Sequence, residues 1–344
     1  MSRLLHLVLA CLGILCLWKF GGWAFSSFVG KIEPGSPAII RLDQSLTHKE
    51  VAQRLQDEYR VVNSALGYRI YTAIARSPKA KPGTYQIQPG TRYSDIAPLL
   101  ARGPQRAERE VRVIEGWDLR NQADQLAAIN PAWRPTFLGF TGQSGNTAPF
   151  DPKWRAEFPF LQSLPADRSL EGYLFPDTYR VWEDELPESL IRKQLSVFDQ
   201  RVYQIFKDMP LPAPLKTFDE AVILASIVEK EVQTTKDRAI VAGLFLRRLQ
   251  EGMALQSDAT LTYITGSNRG RATAEELRLE TAYNSYKNRG LPPGPIAHPA
   301  LSALQAVFNP TKTPYRYFLT DKQNNVLYAA TFEDHIRNRQ RAGY

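Results

Sequence analysis

The residue in this sequence best placed to move a proton is Glu229. It lies near the end of the stretch 217–231, TFDEAVILASIVEKE, in which Ser226 is the sole polar residue from Ala221 to Val228. A helix apolar around most of its circumference belongs in a core. A carboxyl leaving such a wall has its pKa raised, because burial disfavours the charged form, and a general acid working near neutral pH needs that shift. The alternative is a solvated last turn in which Glu229, Lys230 and Glu231 all face water. The helix alone leaves both readings open.

Holding such a group in place takes a helix with a defined start. Thr217, with Glu220 three residues on, makes a capping box. Thr234 opens the next helix, over 236–250, with Ile240, Val241, Leu244, Phe245 and Leu249 on one face and Gly252 closing it. Further helices are expected over 187–207 and 301–308, and a hairpin pairs 315–319 with 326–330 before a basic tail containing His335. Upstream, 111–115 alternates as a strand, and Asp118 caps a helix running to about Ala128. Residues 130–168, rich in Pro, Gly, Ser and Thr, read as an irregular connection with some short helix or a functional flap.

Three other stretches carry binding chemistry. LEGYLFPDTY (170–179) crowds Glu171, Tyr173, Asp177 and Tyr179 around a turn, while LQSDATLTY (255–263) and YNSY (283–286) add Gln256, Asp258, Tyr263, Tyr283, Asn284, Ser285 and Tyr286. Flat aromatic faces beside hydrogen-bonding groups suit sugar rings, although tyrosines packed inward would give the same pattern. The four histidines, His6, His48, His298 and His335, stand far apart without metal-ligand spacing. No Gly-x-Ser-x-Gly motif and no phosphate-cradling glycine loop occurs. Neither metal nor cofactor is expected.

The 344 residues are enough for two or three domains. Leu4 to about Phe25 is apolar apart from His6 and Lys19, long enough to span a bilayer if Lys19 snorkels beside Trp18 and Trp23. An uncleaved anchor is favoured over a signal peptide, since no clean cleavage site closes the run. Both cysteines, Cys11 and Cys16, fall inside it, so the exported part has no disulfide. Of the 43 Lys and Arg only Arg3 and Lys19 precede residue 31, and none of the 35 acids does, so the remainder carries +6. Those charges are scattered rather than interleaved with aromatics, which argues against nucleic acid. The expected organisation is an α+β chain: a stub and transmembrane helix over 1–30, a small α+β module over 31–105, and a larger mixed helical and β domain over 106–344. The module holds a loose internal echo, a short extended stretch, a hydroxyl cap (Ser45, Thr91) and an amphipathic helix, repeated once.

LEGYLFPDTY, LASIVEKE, LQSDATLTY, YNSY and GLPPGPIAHP (290–299), in this order, resemble the MltG (YceG-like) family, the membrane-anchored endolytic murein transglycosylases of bacteria. The resemblance covers the anchor and nearly all of 31–340. It implies that 31–105 is a LysM-like module and that Glu229 is the catalytic acid and base; by residue type and motif membership, Glu171, Tyr173, Gln256, Asp258, Tyr263, Tyr283, Asn284, Ser285 and Tyr286 are expected to bind the glycan. It also implies peptidoglycan strands as substrate, cleaved at the MurNAc-β-1,4-GlcNAc bond without water to leave a 1,6-anhydroMurNAc end. The implied setting is the bacterial inner membrane, with one spanning helix, the remainder in the periplasm and peptidoglycan synthases as partners. The chain departs from the family pattern at Ala259, Ser285 and His298-Pro299-Ala300, which leaves the cleft rim less defined than the acid. Two rival readings stay open: a hydrolase with Glu171 or Asp258 as second carboxylate, and a non-catalytic glycan-binding scaffold.

Overall fold

The structure is a computed structural model describing residues 38–42, 46–88, 91–104, 108–146, 148–267 and 270–343. The expected membrane segment, 1–30, and the expected cap Ser45 lie outside the described residues. No helix among the described residues is long and apolar enough to cross a membrane. The chain falls into two compact units, divided at about residue 106.

In the first unit, β1 (Ala38–Leu42) pairs antiparallel with β2 (Gly83–Ile87). Between them run α1 (His48–Asp57) and α2 (Ala65–Ile74), and α3 (Tyr93–Arg102) follows. The first helix of the sequence echo is capped by Thr47 in a capping box with Glu50, whereas α3 starts after Arg92 with no side-chain cap. Ile40, Leu42, Leu55, Tyr68, Tyr85, Ile87 and Ile96 fill a core of their own.

The second unit is mixed, with two two-stranded ribbons and a helical core. Strand β3 (Glu108–Arg112) pairs antiparallel with β4 (Thr178–Trp182). The expected strand over 111–115 is thus displaced towards the N-terminus. Only Val113 continues the pairing, to Asp177 O at 2.9 Å, before the chain turns at Gly116, whose φ is +75°. Asp118 caps α4 (Leu119–Ile129), as its position predicts. Residues 130–168 are more ordered than an irregular connection. They hold α5 (Trp133–Thr141) and α6 (Lys153–Glu157), because Phe137, Phe150, Trp154, Phe160 and Leu161 are core residues that need a fixed backbone behind them.

Helix α7 (Glu188–Phe198) runs on through a π-helical turn (Asp199–Tyr203) to Phe206. Then comes α8 (Phe218–Glu231), whose residues from Ala221 to Val228 are all buried. It packs against α9 (Thr235–Gln250), α10 (Asp258–Thr265) and α11 (Leu301–Phe308). The β5 (Tyr317–Thr320) and β6 (Val326–Ala329) hairpin follows, and the basic tail is a helix, α12 (Phe332–Ala342), capped by Thr331 and packed on that hairpin. The Thr217–Glu220 capping box at the head of α8 is present in both directions. Thr217→Ala is therefore expected to cost about 1 kcal/mol, read as a lower Tm of the full chain.

Candidate active site

Helix α8 carries Glu229 to its last turn, where the side chain keeps only 5% exposure. Its Oε1 accepts from Arg238 Nη2 at 2.5 Å and its Oε2 accepts from the Ala300 backbone N–H at 3.0 Å. Arg238, in the first turn of α9, also donates through Nε to Val232 O at 3.3 Å and through Nη1 to Ser302 Oγ. Burial raises the Glu229 pKa and Glu115 adds to the effect; Arg238, the Ala300 N–H and Lys230 oppose it. The net direction is up, the direction a general acid needs.

Backbone passes close over the glutamate stem. A Cβ on Gly116 would lie 3.6 Å from Glu229 Cγ, and Gly116 O accepts from Lys230 Nζ at 3.1 Å. The same segment bonds the 290–299 loop, Gly116 N–H to His298 O at 3.0 Å and His298 N–H to Trp117 O at 2.7 Å. His298 Nδ1 accepts from Gly172 N–H at 3.1 Å. Burial depresses its pKa to about 3, so the ring is neutral and carries its proton on Nε2, which stands 3.5 Å from Glu171 Oε1.

Glu171 has no exposure. Its Oε2 accepts from Leu119 N at 3.3 Å, Ser144 Oγ at 3.1 Å and Tyr263 OH at 3.1 Å. Burial, with Asp118 adding, pushes its pKa up to about 8 against those donors. It works as a brace between four segments. Gly172 beside it has φ +87°, and an added Cβ would lie 2.6 Å from Pro295. Gly172→Ala is therefore expected to lose about 2–4 kcal/mol through combined overpacking and left-handed strain, measured by denaturant unfolding.

The two remaining motifs clasp each other. Gln256 N–H bonds Ser285 O at 3.0 Å, Ser257 N–H bonds Ser285 Oγ at 3.0 Å, and Tyr286 OH donates to Asp258 Oδ1 at 2.8 Å. Tyr263 and Tyr283 meet with ring centroids 5.4 Å apart. Through Tyr263 and Glu171, through His298, and through the Ile296 N–H bond to Ser226 Oγ at 3.0 Å, all five sequence motifs join one network around the end of α8.

Several sequence expectations change in this light. Tyr173 does not lie beside Glu229. It is 1% exposed between Phe160 and Phe198, with its hydroxyl on Asp219 at the other end of α8, about 15 Å of helix from Glu229. Asn284 is fully buried and spends its amide on Leu277 O and Leu279 O and its oxygen on the Tyr286 N–H, so it shapes the loop rather than facing a ligand. Ser285, bonded to Ser257 and Thr260, is likewise internal. Of the residues expected to bind, Gln256 is exposed and Asp258 and Tyr286 are half-buried, while Glu171, Tyr263 and Tyr283 are buried supports. Glu231 is not a solvated terminal acid either. It accepts from Ser257 Oγ, and burial lifts its pKa to about 7. Arg238 was not anticipated, and no spacing rule would have found it.

The profile of the YceG-like family matches residues 40–341. An endolytic murein transglycosylase of Streptococcus pneumoniae is 32% identical over 300 residues, covering 81% of this chain and 53% of that protein. The chain thus spans about half the length of that relative. An endolytic murein transglycosylase of Bacillus subtilis is 27% identical over 289 residues, covering 82% of this chain and 78% of the other. A crystal structure of a YceG-like protein from Listeria monocytogenes superposes with TM-score 0.56 at 25% identity, covering 88% of this chain and 98% of that one. With the mixed α+β fold, the motif network and a profile match over nearly the whole described chain, this protein belongs to the YceG-like family.

Proposed function

We propose that this protein is an endolytic peptidoglycan lytic transglycosylase, cutting the MurNAc-β-1,4-GlcNAc bond without water and leaving a 1,6-anhydroMurNAc end. The observation that carries the reading is Glu229, a nearly buried carboxyl with a raised pKa, both of whose oxygens are held at the end of a core helix. The relatives named above, called endolytic murein transglycosylases, support the same chemistry.

In this mechanism protonated Glu229 gives its proton to the glycosidic oxygen as the C1–O bond breaks, and the 2-acetamido group of the muramic sugar steadies the cationic C1. Glu229, now a carboxylate paired with Arg238, takes the proton of the C6 hydroxyl as O6 closes on C1. No water is consumed, and the tethered nucleophile has a high effective concentration. One carboxylate performs both transfers. A hydrolase would need a second, placed for water, and Glu171, the first nominee, has no exposure at all. Asp258, half-buried and bonded to Tyr286, and exposed Gln256 are better suited to hold sugar hydroxyls or the acetamido group.

The β1–α1–α2–β2 unit is read as a LysM-like module, and 1–30 as a single-pass inner-membrane anchor with the rest of the chain periplasmic. Beside the synthases, such an enzyme would end the growth of nascent strands. The test uses the full chain in detergent with purified peptidoglycan strands, the products read by mass spectrometry. Multi-sugar fragments whose ends lack one water support the proposal, and hydrated reducing ends overturn it.

A further inference from the structure

Helix α2 turns one face to the core of its unit and leaves an aliphatic face exposed among the described residues. Tyr68 and Thr72 face the core of the first unit. Leu66, Ile70 and Ile74, at four-residue spacing and hence on one side of the helix, are 60%, 45% and 76% exposed. Single exposed aliphatics are ordinary, but three in register on a ten-residue helix form a stripe.

The segment that carries this stripe has charge of one sign, while the packed helix α1 ends in Asp57 and its cap Glu58, the latter paired with Arg54. From residue 59 to 94 the chain carries Arg60, Arg69, Arg76, Lys79, Lys81 and Arg92 and not one Asp or Glu. Arg69 lies on α2 beside the stripe, Arg76 and Lys79 follow its C-terminus, and all three are exposed. An aliphatic face flanked by Lys and Arg is the composition of a helix that lies in the plane of an anionic bilayer surface. Other occupants fit less well. A glycan needs aromatic faces and hydrogen-bonding groups, which this stripe lacks, and a second copy would bring two sets of like charges together.

The sequence also sets a leash. The apolar run ending at Phe25 is separated from β1, which starts at Ala38, by at most about 45 Å of extended chain. If that run is the membrane anchor, as proposed above, the module cannot leave the neighbourhood of the bilayer. The geometry points to α2 as a second membrane contact, its Leu66–Ile70–Ile74 face seated among the headgroups of an anionic leaflet with Arg69, Arg76 and Lys79 on the lipid phosphates. The module is then a membrane-hugging spacer.

The test uses the full chain with Cys11→Ser and Cys16→Ser, carrying Ile70→Cys labelled with an environment-sensitive fluorophore. It is reconstituted in vesicles of phosphatidylethanolamine and phosphatidylglycerol. Gln53→Cys, exposed on α1 one turn from Asp57, is the control position. The expected result is blue-shifted emission and quenching by headgroup-level nitroxide lipids at position 70 and not at 53. That quenching should be lost in pure phosphatidylcholine and in Arg69→Glu/Arg76→Glu. Equal quenching of both positions by aqueous iodide overturns the inference while leaving the anchor intact, provided the chain floats with the vesicles. Failure to float overturns the anchor and the inference together, and cross-linking between two copies through position 70 overturns it in favour of self-association. None of these readouts depends on catalysis at Glu229.

Discussion

Glu229→Gln is expected to abolish strand cleavage while leaving the fold intact. The glutamine keeps the shape and can still accept from the Ala300 N–H, as Glu229 Oε2 does, but it can neither give nor take a proton. A single general acid–base group is ordinarily worth about 10²–10⁴ in rate. Because the same carboxyl serves both halves of the proposed reaction, a loss of at least about 10³ is expected, about 4 kcal/mol of transition-state stabilisation. The fold should tolerate the change, because the glutamate's own burial is unfavourable to its charge. The cost is Arg238, 12% exposed, facing an amide N–H in place of a carboxylate oxygen. The check has two parts: anhydro-ended fragments counted by mass spectrometry, and Tm of wild type and variant. Loss of cleavage at unchanged Tm supports Glu229 as the acid and base. Retained cleavage with hydrated ends would move the chemistry to another carboxylate, Asp258 first.

How much of this was legible in the sequence depended on how local the cause was. The start of α8, the Asp118 and Thr234 caps and the burial of 221–228 follow from residues three or four apart, and all are present as read. The errors came where a partner arrives from far along the chain. Whether Glu231 was solvated stayed open in the sequence, because the hydroxyl that bonds it, Ser257, is 26 residues away. Arg238 meets Glu229 only because the chain breaks at Val232 and α9 returns alongside. Tyr173 sits in a motif that joins the network around α8, through Glu171, yet the turn sends its ring the other way into the aromatic core. Strand β4 was missed: Tyr179 and Val181 are buried and alternate with exposed Thr178, Arg180 and Trp182, a period-two pattern that the preceding turn motif masked. The motifs were recognisable one by one, but their shared network was not, because every link in it joins segments dozens of residues apart.

Replacing Arg238 by methionine is expected to move the working pH of the protein upward. The guanidinium is fixed by Val232 O and Ser302 Oγ as well as by Glu229, so it stands in one place as a permanent charge against Oε1. An adjacent cation favours the charged form of a carboxyl and so holds its pKa down. Burial is already the larger influence on Glu229 and raises its pKa; without Arg238 the Ala300 N–H and Lys230 are left to oppose it. Glu115 pushes the same way as burial. In the variant Glu229 keeps its proton to higher pH, so the acid step survives where the wild type loses it. The base step, which needs the carboxylate, weakens at neutral pH. The pH–rate profile should therefore shift up, with kcat at neutral pH reduced and KM little changed. The linkage has a definite sign: a carboxyl whose folded pKa is raised binds more protons folded than unfolded, so its contribution to stability is present at low pH and lost as pH rises through the folded value. In Arg238→Met that loss should extend to higher pH. Titration of the Glu229 carboxyl carbon by NMR, with Glu229→Gln identifying the resonance, reads the shift directly whether or not the chain is active. Arg238→Lys keeps the charge but not the fork, and should fall between the two. A methionine variant with a lower Tm but an unmoved titration and an unmoved pH profile would make Arg238 a packing brace, and the ion pair irrelevant to the proton.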